Sequence, residues 1–131
     1  MSKYWFEYVK SCYDLIIESE SITHKILNHE VEAYIVHLMA KNFHRSDIGE
    51  QPISLKVMQA INSNNRDFLI DIADECLLIN SYPLRKSKWP TDTYYRDMGI
   101  ICYGLVDHFM EKHFNIASIV LSSVFNRDTR L

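Results

Sequence analysis

The chain holds 131 residues, 47% of them hydrophobic and 24% charged, with only three glycines and three prolines. That balance excludes collagen-like, low-complexity and largely disordered chains, and the length suits one domain with one sizeable core. Fourteen Lys and Arg against 17 Asp and Glu leave a formal charge of -3, so no global positive field draws phosphate backbones or anionic lipid.

The first 20 residues carry Lys3, Glu7, Lys10, Asp14, Glu18 and Glu20, which interrupt any apolar region of the kind a secretory signal needs. Phe6, Val9, Tyr13, Ile16 and Ile17 recur at helical steps and predict a helix over 4–18 that buries this stripe, followed by a polar link over 19–24. Asn28 is a good N-cap, and Glu30 and Glu32 fall where the helix dipole favours negative charge. A second helix therefore starts there, with Val31, Tyr34, Ile35, Leu38 and Met39 inward and Lys41, His44 and Arg45 at its C-terminal end. Gly49 and Pro52 mark a break, and a short helix over 53–62 is expected to turn Leu55, Met58 and Ile61 inward.

Phe68, Leu69, Ile72, Cys76 and Ile79 predict the next helix over 66–80, which Pro83 stops. The loop over 82–90 is the most basic piece of the chain. Beyond it, Thr91 or Asp92 caps a long helix over 92–113, and a last helix is expected over 116–127. Its most apolar stretch, 98–106, is far shorter than the ~20 residues a membrane span needs. Few forced turns and a pervasive three-to-four spacing make the fold class all-α, a compact single domain of five or six helices with the 92–113 helix at its centre.

The chemistry-bearing residues carry no strong motif. There is no G-x-S-x-G elbow, P-loop or H-E-x-x-H, so the enzyme reading stays open and is not favoured. Cys12, Cys76 and Cys102 are odd in number and far apart among apolar neighbours, so they read as reduced core thiols of a cytoplasmic protein. His29 with Glu32, and His108 with Glu111, stand three apart and converge pairwise on a helix face, but in the reverse order of the Glu-x-x-His ligands of di-iron bundles. These four are weak metal candidates; solvated faces and caps are the plainer reading, as for the acidic group Asp71, Asp74 and Glu75. No cofactor is implied.

Gly99 and Gly104 sit inside a helix, where each costs about 1 kcal/mol against Ala. Close approach of a neighbouring helix accounts for them, with a gap for a small apolar ligand as the alternative. Arg85, Lys86 and Lys88 beside Trp89, Tyr94 and Tyr95 form a basic-aromatic group whose composition suits protein contact. Nucleic acid is disfavoured by the acidic balance, and no membrane partner is implied.

The segments 71–78, 92–99 and 102–104, written DIADECLL, DTYYRDMG and CYG, resemble an uncharacterised family of bacterial all-helical proteins. In that family a helix of Gly/Ala-Asp-x-x-Leu type precedes a Tyr-Tyr-x-x-Met-Gly-x-x-x-Tyr helix. The resemblance spans 71–104, about a third of the chain, and departs where Asn80-Ser81 replaces a small residue plus Gly. It implies a helical fold and a bacterial origin and transfers no catalytic residue. The leading expectation is a non-enzymatic cytoplasmic interaction module that binds a protein partner or itself as a homo-oligomer, through the first and last helices. The alternative is a small-ligand or metal-binding bundle with a His/Glu site.

Overall fold

The computed structural model describes residues 3–42, 52–82 and 89–127, and within them the chain is built from helices with no strand. In order these are α1 (Lys3–Thr23), α2 (His29–Asn42), α3 (Ile53–Asn62), α4 (Arg66–Ser81), α5 (Asp92–Leu105) and α6 (Phe114–Arg127), with a 3-10 turn at Phe109–Lys112 between the last two. The all-α bundle is thus the observed class. None of these helices is long and apolar enough to cross a membrane.

Short polar side chains start the helices. Asn28 Oδ1 accepts from the Val31 amide at 2.9 Å, Asn65 Oδ1 from Phe68 at 3.0 Å and Thr91 Oγ1 from Tyr94 at 3.2 Å. Each satisfies an orphan donor and contributes about 1 kcal/mol. Three C-termini close with a left-handed residue, His24, Asn64 and Asp107, at φ of 57°, 53° and 52°. The amide beyond each reaches back five residues: Lys25 to Glu20 at 3.2 Å, Asn65 to Ala60 at 3.0 Å and His108 to Tyr103 at 2.9 Å. This is the Schellman arrangement, made here by the non-glycine types that best tolerate positive φ.

Two expected boundaries are corrected by these caps. Residues 19–23 are not a link: α1 continues to Thr23, and Ser19 is fully buried. The 92–113 helix is two elements, because Asp107 turns the chain out of α5 and His108 then caps the 3-10 turn, its Nδ1 accepting from the Met110 amide at 3.1 Å.

The inward faces also differ. In α1 the buried seam is Cys12, Ile16 and Ser19, at i, i+4 and i+7, where small residues let α2 and α6 approach; Phe6 and Tyr13 are 71% and 43% exposed. In α3, Ile53 and Ala60 are buried and Leu55, Met58 and Ile61 face out. The centre of the bundle is α4, which packs on α5, α6 and α3 and buries nine residues from Leu69 to Ser81. A helix apolar on so much of its circumference belongs inside. The expected central role of the 92–113 segment passes to α4, with α5 as its broadest partner.

Candidate functional site

At the heart of α4 stands a carboxylate, Asp74, one position after the fully buried Ala73 and two before the fully buried Cys76. Two phenols from different helices reach its Oδ1: Tyr34 of α2 donates at 2.5 Å and Tyr103 of α5 at 2.5 Å. Burial raises the Asp74 carboxyl to about 6, while the two phenol donors pull it back down. Burial, reinforced by the Asp74 charge, holds both phenols far above the ordinary tyrosine range, so they remain donors at any physiological pH.

His108 closes this centre from the α5–α6 turn. Its ring stacks on Phe109 at 4.6 Å and on Tyr103 at 5.0 Å and meets Tyr34 edge-on at 5.1 Å. Burial, followed by the Arg66 charge, lowers its pKa, and with Nδ1 engaged as an acceptor the imidazole is neutral. The Asp74 side chain also lines a cleft of about 440 Å³ between α2, α3 and α4, together with Lys41, Lys56, Phe68, Asp71 and Glu75. One ion pair is already closed there, Lys56 Nζ to Glu75 Oε2 at 2.7 Å.

A buried carboxyl lies at the α1–α2 corner. Glu20 Oε2 accepts from the Leu27 amide at 2.9 Å, while Oε1 is buried without a donor. Burial, followed by the hydrogen bond with Glu32, raises Glu20 to about 7.

The four metal candidates are dispersed between these places. His29, fully exposed, touches Glu32 at 3.5 Å, and Glu32 turns inward to Glu20. His108 spends Nδ1 on a backbone amide, and the Glu111 side chain lies over Gly104. Among the described residues no three or more His, Cys, Asp or Glu form a group able to hold a metal.

Gly99 is buried, and a Cβ there would stand 2.5 Å from Phe114 Cε2 and 3.0 Å from Cys76 Cβ. The space is filled by protein, which corrects the alternative of a ligand gap at this position. All three cysteines are buried free thiols, and burial pushes Cys12 and Cys102 up to about 11 and Cys76 further. Of the basic-aromatic group, Arg85, Lys86 and Lys88 lie outside the described residues. Trp89 is 78% exposed, whereas Tyr95 is only 7% exposed with Tyr94 edge-on to it at 5.4 Å.

In the sequence Asp74 reads with Asp71 and Glu75 as a solvated face, and Tyr34 and Tyr103 fall on separate helices. The available signal was an acid within the apolar run 69–79; its partners, 40 and 29 positions away, leave no local trace. Compared with known proteins, no family model matches the chain, and neither a curated protein nor a solved structure matches it.

Proposed function

We propose that this chain is a non-enzymatic cytoplasmic interaction module that forms a homodimer through the outer face of α1. The observation that carries the reading is the stripe Phe6, Tyr13 and Ile17, exposed at 71%, 43% and 38% on the side of α1 turned away from α2 and α6. Large apolar side chains exposed along one helix face are the ordinary content of a protein interface. The expected contact through first and last helices is narrowed by the packing, because α1 and α6 lie against each other within one molecule.

Charge supports a second copy as the occupant. Lys10 and Asp14 are exposed on the same edge of the stripe, and neither makes an ion pair within the described residues. An antiparallel pair with its two-fold axis near Cys12 sets Lys10 of each copy against Asp14 of the other. Three buried free thiols support a reducing compartment, and the resemblance in 71–104 supports a bacterial origin. The structural use of Asp74 and of His108 Nδ1 supports the non-enzymatic half.

Sedimentation equilibrium tests this directly. The wild-type chain is expected to dimerise, Phe6→Glu to be monomeric, Lys10→Glu to weaken the dimer and Lys10→Glu with Asp14→Lys to restore it. A wild-type monomer across the whole concentration range overturns the reading.

A further inference from the structure

We infer that the α1–α2 corner is a pH-sensitive latch, closed while Glu20 or Glu32 carries a proton and loosened once both are ionised. The two acids come from adjoining helices and both are withdrawn from the surface: Glu20 of α1 is 6% exposed and Glu32 of α2 is 5%. A hydrogen bond joins them, and between two carboxyl groups such a bond exists only while one is protonated. With both ionised, two like charges stand together out of water, and Glu20 Oε1 has no donor among the described residues.

The other oxygen of Glu20 fastens the corner. Oε2 accepts from the Leu27 amide at 2.9 Å and ties the end of α1 to the link over 24–28, where Leu27 is buried. The Glu20 backbone carbonyl holds the same link through the Lys25 amide at 3.2 Å, beside the left-handed His24. Only the side-chain tie depends on pH: a carboxylate that swings out to water to escape Glu32 releases Leu27 as it goes.

The groups around Glu20 do not compensate a second charge. From α2 come Glu32 and His29, whose ring lies 3.5 Å from Glu32 and is charged only when protonated, so its support also fades as pH rises. His24 and Lys25 of the link are exposed, and the described side chains of α6, the other helix packed on α1, include no acid or base. A metal does not take the proton's place, since the described residues hold no group suited to one. Burial first, and the bond with Glu32 second, bring Glu20 to about 7, so the latch loosens as pH climbs from 4.5 to about 7.

Amide hydrogen exchange followed by NMR from pH 4.5 to above 7 tests the latch, with protection corrected for the intrinsic base catalysis of exchange. Asn65 is the internal reference, because its amide closes the α3–α4 corner on Ala60 at 3.0 Å in the same kind of turn. Relative to Asn65, the wild-type Leu27 amide is expected to lose protection by about fivefold over this range. Glu20→Gln keeps an acceptor for Leu27 and carries no charge, so its ratio is expected to stay constant. Glu32→Gln brings an amide donor to Glu20 and is expected to behave alike, which keeps the test decisive if one variant fails to fold. A wild-type ratio that does not change with pH, or the same fall in either variant, overturns the inference. The monomeric Phe6→Glu variant keeps the pH dependence, so the latch and the dimer stand or fall separately.

Discussion

Two carboxyl groups, the partly buried Asp74 and the buried Glu20, meet different neighbours. Asp74 meets donors: two phenol hydroxyls, each at 2.5 Å, stabilise its charged form, and burial lifts it only to about 6. Glu20 meets another acid: one backbone amide at 2.9 Å opposes burial while Glu32 adds to it, and the group rises to about 7. Asp74 lines a cleft as an oriented carboxylate, whereas the surroundings of Glu20 favour its protonated form. Burial is the largest cause in both, and the neighbours' hydrogen-bonding character decides whether it is opposed or reinforced.

The comparison breaks most severely at Asp74. Asp74→Ala leaves the hydroxyls of fully buried Tyr103 and partly buried Tyr34 without an acceptor, at about 1–3 kcal/mol for an unsatisfied group, so a loss of about 2–4 kcal/mol is expected in urea denaturation at neutral pH. A change below about 0.5 kcal/mol would mean that the phenols find other partners. Tyr34→Phe and Tyr103→Phe each remove one donor and are expected to cost about 1–2 kcal/mol, with Tyr103 the larger because it is fully buried. Both changes also raise the Asp74 pKa, since a donor to the charged form is lost; carbon NMR titration of the Asp74 carboxyl reads the direction.

How much of this was legible in the sequence follows from the range of each signal. α3 and α4 begin where the apolar period places them, because stripes act within a few residues. The ends of α1 and α5 were missed because His24 and Asp107, not glycine, take the left-handed position. The inward faces of α1 and α3 were misjudged for a related reason: large apolar residues dominate a periodicity reading, while the seams that pack are marked by Cys12, Ser19 and Ala60. Small residues allow close approach, and the large ones they displace face outward, which is how α1 comes to present Phe6, Tyr13 and Ile17. The Asp74 centre needs three helices at once, and nothing local to Tyr34 or Tyr103 announces it.

The smallest expected effect separates the two acids most cleanly. A carboxyl with an ordinary pKa of 4.5 that rises to about 7 on folding binds its proton more tightly in the native state. Its contribution to stability is therefore fully present below pH 4.5 and is lost as pH climbs through about 7. Asp74 runs in the same direction over the lower window from 3.8 to about 6, with Tyr34 and Lys41 of α2, Asp71 of α4 and Tyr103 of α5 facing it. Gln at position 20 imitates the protonated acid: its carbonyl oxygen accepts from Leu27 and its amide donates toward Glu32. Glu20→Gln is thus expected to match the wild type near pH 4.5 and to exceed it by about 1 kcal/mol above pH 7, with the Asp74 window unchanged. Melting temperatures of the two proteins followed across this range decide it. Parallel curves would show that Glu20 and Glu32 hold no proton between them, and a gap that opens only as pH rises would show that they do.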